Sequence, residues 1–431
     1  MKRSDIQFVR KNRFALRNRT IIQWMVVIVS FWSILFKSIS LLPGPLSYLK
    51  YVPDGFLLVL LVLALFKKRF SFRRTLLSPL RLVLIFFSFC LITGICRYQS
   101  VAYFLWGFRN NFRFYIAFFA FIVYLDEFDA EVWFKGMDLF FWINAGLSAI
   151  QFFLWGIKGD ALGGIFGVLG ASNGYTTCFM SIVVGKTILD AFMRKKGFAG
   201  ALAKVIVSIV VAVMAEIKFF FFIVAFLIFG AAIITGFSVR KIIYVLLGAV
   251  VLSLGAMVLV DMFGFEDFLS LEKLWENATK ENYASKGDVN RLTAVASVTR
   301  RLDMNIIDQI FGFGLGNCDT SAFAICNTPF YRQHGYMHYH WFVSSMVFLE
   351  MGYVGLVLYI SFFCICIEKA YKNNRRGIGK LLYYHLAILI SALCIILVFY
   401  DSSLRIESGY MMYFVLALPF FQQRSVQTAC T

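Results

Sequence analysis

Long apolar stretches follow one another along this chain, separated by short basic segments, and they limit its fold more than any other feature. A helix needs about 20 largely apolar residues to cross a bilayer. Twelve segments meet or approach that length: 20–41, 53–66, 80–96, 108–125, 137–155, 172–192, 199–215, 217–235, 242–262, 341–367, 382–400 and 409–421. Composition agrees, because 60% of the 431 residues are hydrophobic and only 15% charged, against about 25% charged in a soluble domain. So much apolar surface cannot hide in one soluble core. A soluble enzyme, a disordered chain and a fibrous protein are excluded. A membrane β-barrel is excluded too, because the stretches are continuous and do not alternate. The expected fold is all-α: a polytopic integral membrane protein of about twelve transmembrane helices, forming one membrane domain over residues 1–431.

The net charge of +18 points to orientation and gives no reason to expect a nucleic-acid partner. With the N-terminus inside, the cytoplasmic segments hold 24 Lys and Arg and the short external loops and their edges only eight. That asymmetry is the positive-inside pattern. It predicts a basic cytoplasmic segment at 1–19 and a cytoplasmic C-terminus. The basic N-terminal segment is not followed by a small-residue cleavage site, so the first apolar run reads as a retained span. Spans seven and eight are separated only by Glu216-Ile217-Lys218 and could form one long helix. That alternative would put the basic run 369–380 outside, against the charge pattern.

One segment departs from this layout. Residues 261–337 are polar and mixed, and form a large external loop between spans nine and ten. Phe268, Leu271, Leu274 and Trp275 recur at helical spacing, and a second amphipathic stretch runs over 291–310. Long loops in compact proteins are usually functional or disordered, and this periodicity argues for folded structure. Cys318 and Cys326 lie here and could pair in an oxidising compartment. Most of the other cysteines sit inside apolar spans, as packing residues do.

Ionisable residues at membrane depth cost about 2.5–3.5 kcal/mol on insertion scales and are functional candidates by default. Glu216 and Lys218 form either a local ion pair at a tight turn or a cation facing an anionic head group. Arg291, with Arg300 and Arg301, is either a solvated helix face or a diphosphate ligand, since guanidinium forks match phosphate oxygens. Arg109 and Arg113 open the fourth span, and Asp401 and Arg405, four residues apart, could pair with each other. Asn173 stands at a helix start, where capping is the ordinary role. The run Gly312-Phe313-Gly314-Leu315-Gly316 signals a tight turn, with the wrong context and spacing for a nucleotide loop. His334, His338 and His340 gather just ahead of Trp341. No third ligand at metal spacing accompanies them, so no metal is expected. A histidine at a cavity edge suits a general base, and the same cluster also fits an interfacial aromatic patch.

Taken in order, these pieces resemble the bacterial O-antigen polymerase and O-antigen ligase superfamily of membrane glycosyltransferases. The resemblance covers most of the chain and is clearest over 163–363. Its elements are Gly164-Ile165-Phe166-Gly167 followed by Ser172-Asn173, then Lys218 opening the eighth span, and Arg291 at the front of the external loop. The run Ile310 to Asn317 follows, and the histidine cluster then leads into Leu349-Glu350-Met351-Gly352-Tyr353-Val354-Gly355.

The resemblance implies a donor glycan on undecaprenyl diphosphate, handled at the outer face of a bacterial plasma membrane without metal or cofactor. It implies that Arg291, Lys218 and Arg109 bind the diphosphate and that His338 or His340 is catalytic. Glu216, Asn173, Gly314, Glu350 and Arg405 would support them. Lys218 stands where the family usually has Arg, keeping the charge and losing the fork. Polymerisation of lipid-linked repeat units for O-antigen, capsule or exopolysaccharide is the first expectation. An O-antigen ligase delivering the glycan to lipid A-core is the alternative, and a polysaccharide transporter or flippase the second. The bilayer and the lipid-linked oligosaccharide are the expected partners, with a chain-length regulator or another polysaccharide-assembly protein possible beside them.

Overall fold

The structure, a computed structural model, describes residues 21–34, 48–49, 51–66, 76–168, 172–193, 197–264, 270–283, 287–321, 323–375 and 380–421. The basic segments 1–19, 67–74 and 194–196 lie outside these residues. A helix lies over each of the twelve predicted segments. The first nine are α1 (Ile21–Ser30), α2 (Val52–Phe66), α3 (Leu77–Cys96), α4 (Val101–Tyr124), α5 (Glu127–Ala149), α6 (Asn173–Met193), α7 (Phe198–Met214), α8 (Lys218–Thr235) and α9 (Val239–Phe263). Four short helices follow in the polar segment: α10 (Leu271–Thr279), α11 (Ala294–Arg301), α12 (Ile306–Phe311) and α13 (Pro329–His334). The last three are α14 (Val343–Arg375), α15 (Leu381–Tyr400) and α16 (Gly409–Ala417). No β-strand occurs among the described residues.

Seven helices are long and apolar enough to cross a membrane: α3, α5 with its one-turn π extension to Leu154, α6, α8, α9, α14 and α15. α2, α7 and α16 are shorter apolar helices. The protein is thus a polytopic helical membrane protein. Hydropathy misplaces two helix starts. α4 begins at Val101 and not at 108, and α5 at Glu127 and not at 137. The polar first turn of α5 is held by a capping box, in which Asp126 accepts from Phe128 N and Asp129 N while Asp129 accepts from Asp126 N. Backbone and cap bonds define a helix end, and a hydropathy window does not see them. Spans seven and eight are separate helices, α7 and α8, broken at Glu216, whose φ is +57°.

Contacts sort the connections into two groups. At one end, Arg97 bonds Asp308 at 2.6 Å, Trp106 Nε1 donates to Thr320 O at 3.1 Å, and Val343 N donates to Asp401 O at 3.0 Å. At the other end, Lys380 meets Glu131, and Asn373 Nδ2 donates to Pro419 O at 3.2 Å. α16 lies at the centre, buried at every position from Gly409 to Ala417. Phe414 stacks on Trp133 with ring centroids 4.2 Å apart, and Tyr413 lies edge-on to Tyr115 at 5.6 Å. α9 buries only Gly248 and Leu259, so it is a peripheral helix that is apolar all round, as a lipid-facing helix should be.

The polar segment is folded onto the first end. Its helices share a small core of Val289, Ala294, Val298, Met304 and Cys318 with Met337, Tyr339 and Phe342. The predicted amphipathic stretch 291–310 forms two helices, α11 and α12, with Asp303 in the left-handed region between them. Cys318 and Cys326, which could have paired, are both free thiols; Cys318 is buried and its carbonyl accepts from Tyr339 Oη at 2.6 Å.

Candidate functional site

Arg291 is held by aromatic rings. Its guanidinium lies 4.6 Å from the centre of Tyr283 and 4.3 Å from that of Tyr400, and Nη2 donates to Tyr283 Oη at 2.8 Å. Its Nε is buried and has no hydrogen-bond partner among the described residues. Cation–π contacts contribute about 0.5–2 kcal/mol and fix the plane of the fork. Tyr400 ends α15 and stacks on Phe219, 3.6 Å between centroids and 11° apart in plane. Phe219 follows Lys218, so Tyr400 brings Arg291 and Lys218 to one place, near enough for their charges to interact. Lys218 also pairs with Glu216 at 3.4 Å across the tight turn. Asn173 donates from Nδ2 to Asp160 at 2.5 Å, and Asp160 lies near enough to Lys218 for their charges to interact. The Asn173 side chain thus ties α6 to the 155–168 loop.

The histidines separate into two environments. His338 Nδ1 lies 2.7 Å from Asp288 Oδ1, and its ring stacks on Trp341 at 4.0 Å and 14°. Trp341 in turn meets the edge of Tyr283, the ring that carries Arg291, at 6.3 Å. His338 has φ +52°, a costly conformation for a non-glycine residue, and 36% of its side chain is exposed. His340 turns inward. It packs on Tyr331 at 5.4 Å, and its Nδ1 is buried without a partner among the described residues. Burial first, then the neighbouring His338 charge, push its titration down to about 4. His338 therefore belongs with Arg291, and His340 belongs to the supporting layer.

His340 predicts acid lability. An unfolded histidine protonates near 6.5 and this one near 4, so between those values the unfolded chain binds a proton that the fold excludes. The His340 contribution is complete above about pH 6.5 and is lost as pH falls toward about 4. Thermal midpoints of the wild type and His340→Gln, compared from neutral pH to about pH 5, should show the wild type losing ground to the variant on acidification.

Arg109 has partners of its own, different from those of Arg291 and Lys218. It pairs with Asp54 at 2.8 Å and stacks against Tyr51 and Trp106 at 4.9 and 5.0 Å. One helical turn on, buried Arg113 bonds Glu407 at 3.2 Å, and Tyr175 Oη donates to Glu407 at 2.6 Å. Asp401 and Arg405 do not pair. Asp401 accepts from Ser403 N at 2.8 Å and Ser403 Oγ at 2.6 Å, while Arg405 bonds Asp319 at 3.0 Å and reaches Glu350 at 3.7 Å. The segment 401–408 is a turn and not a helix, so helical i,i+4 spacing does not apply to it. Arg300 and Arg301 are spent on the loop: both face Glu281, and Arg301 also bonds Asn282 Oδ1 at 2.7 Å.

The glycine run is scaffold. Phe313 N and Gly314 N donate to Leu349 O and Glu350 O at 2.8 and 2.9 Å. Those carbonyls are freed because α14 kinks at Gly352 (φ +63°, ψ −167°). The Phe313 and Gly314 amides are therefore used on α14. Glu350 is fully buried, and its Oε2 accepts from Asn111 Nδ2 at 3.2 Å. Gly314 and Glu350 thus join the glycine run to α14, with Asn111 and Arg405 beside the Glu350 carboxylate.

Asp288, Tyr283, Tyr400, Asp319, Glu407 and Asp54 are the participants that sequence reasoning missed. Each lies far in sequence from its partner or beside residues of no recognisable pattern. Among the described residues, no group of three His, Cys, Asp or Glu side chains comes together as a metal site. No protein-family model matches the chain, and no curated protein matches it.

Proposed function

We propose that this protein is a membrane glycosyltransferase of the outer face of a bacterial plasma membrane, taking its glycan from a polyprenyl diphosphate. The observation that carries this reading is the meeting of Arg291, Lys218 and His338 around Tyr400, Tyr283 and Trp341, at the end of the helix bundle. Twelve crossings, with both termini on the cytoplasmic side, put that end outside.

The chemistry follows from charge and reach. An acceptor hydroxyl attacks the anomeric carbon, forming the new glycosidic bond. The bond from that carbon to the diphosphate oxygen breaks, and its electron pair leaves on the diphosphate. Arg291 and Lys218 stabilise the growing negative charge, which is where fixed cations lower a barrier most. His338 Nε2 takes the hydroxyl proton and later gives it to water. The diphosphate bond supplies the energy.

With a second lipid-linked repeat unit as acceptor the protein is a polymerase. With lipid A-core as acceptor it is a ligase, and the histidine cluster favours this second reading, since the resembled ligases use a histidine near the end of the large loop. The test is a product size distribution. Purified protein in liposomes is given undecaprenyl-diphosphate oligosaccharide, with and without lipid A-core. A ladder of longer lipid-linked glycans is the expected result for a polymerase, and transfer only when lipid A-core is present for a ligase. No covalent product in either arm would overturn the enzyme reading in favour of transport.

A further inference from the structure

His338 is fixed more tightly than an exposed loop histidine needs to be. The backbone bond from Val289 N to Met337 O, 3.0 Å long, pins two distant loop segments together. The residues flanking that bond are Asp288 and His338, and their side chains meet at 2.7 Å. Asp288 is 3% exposed, whereas the His338 side chain is 36% exposed. The ring is clamped from one face by Trp341 at 4.0 Å, and its backbone is held at φ +52°. Three restraints of different kinds thus converge on one imidazole. Strain of this sort persists only where surrounding structure over-determines it.

Asp288 comes from the same short stretch that delivers Arg291, so one segment sets both the imidazole and the guanidinium.

We infer that Asp288 is a positioning residue: its carboxylate accepts Nδ1–H of His338 and so leaves Nε2 as the proton acceptor for the incoming hydroxyl. This rests on the proposed glycosyl transfer. In that step the hydroxyl proton moves to Nε2, the acceptor oxygen bonds to the anomeric carbon, and the diphosphate leaves with the electron pair. The imidazolium so formed is stabilised by the buried carboxylate beside it, then releases its proton to water. An aspartate that only filled space would make no such difference between tautomers.

The experiment uses the full-length protein in liposomes, with Asp288→Asn, Asp288→Glu, His338→Ala and the double variant Asp288→Asn/His338→Ala. Asp288→Asn should lower kcat by about 10²-fold with the donor KM unchanged, because general-base catalysis contributes 10²–10⁴-fold. Asp288→Glu should recover part of the loss. The double variant should be no slower than His338→Ala alone, since two residues that act as a unit are not additive. A loss that multiplies onto His338→Ala, or an active Asp288→Asn, would overturn the inference. A second readout needs no turnover. Acylation of His338 by diethyl pyrocarbonate, followed by peptide mass spectrometry, should slow severalfold in Asp288→Asn while His334 is unchanged. Slowing in a protein without transfer activity would retain the pairing and overturn the enzyme reading. An unchanged His338 rate would overturn the role of Asp288 whatever the activity.

Discussion

Arg291→Ala is expected to lose about 10²–10³-fold in glycan transfer, the usual cost of deleting one charge-stabilising donor. The protein should stay folded. Among the described residues the Arg291 side chain makes two aromatic contacts and one bond to Tyr283, worth about 2–4 kcal/mol together. The 287–291 segment keeps its backbone bond to Met337, and Asn290 Nδ2 still donates to Asn277 O at 2.8 Å. Arg291→Lys should recover little, because lysine keeps the charge but neither the fork nor the flat face that stacks on Tyr400. Initial rates with the lipid-linked donor, beside a melting curve in detergent, check both halves. Near-normal transfer by Arg291→Ala would remove the diphosphate role from this residue.

Gly316→Ala should prevent assembly altogether. A Cβ there would stand 2.0 Å from Tyr103 O and 2.8 Å from Gly107 N, and φ is +82°. Both neighbours are backbone of α4 and cannot turn aside. Left-handed strain adds about 1–2 kcal/mol and overpacking about 1–3 kcal/mol more. Marginal stability leaves little room for such a sum. Gly264→Ala is the control, with φ +70° but, among the described residues, no atom within 4 Å of its Cβ. It should cost only the backbone strain. Size-exclusion profiles of solubilised protein should show a monodisperse peak for Gly264→Ala and aggregate or no protein for Gly316→Ala. Native-like Gly316→Ala would mean that the contact of the glycine run with α4 can open.

The two predictions mark different depths of legibility. Arg291, Lys218 and His338 were candidates from residue type and position, because charge near a membrane is costly and stands out in an apolar chain. Gly316 was visible only as a turn. The role of the glycine run lies in carbonyls freed by Gly352, 36 positions further on. A run of three glycines is equally compatible with an anion cradle and with close helix packing, and only the acceptors of its amides distinguish them. Arg109 shows a different limit. Its type and position were legible, but its partner Asp54, 55 positions earlier, was not. A carboxylate that distant leaves no local mark.

The sequence by itself determined the class of fold. Apolar runs of bilayer length leave a buried backbone no solution but the helix, and that constraint is local to each run. It also marked the helix hairpin at Glu216, the folded character of 261–337, and the ionisable residues worth following. The tertiary structure decided which of those residues meet. Tyr400 placing Arg291 beside Lys218, Asp288 reaching His338, and Arg405 turning from Asp401 to Asp319 and Glu350 all depend on the relative position of separate helices and loops. Those positions come from side-chain packing between distant segments, of which a single chain's local pattern carries no record.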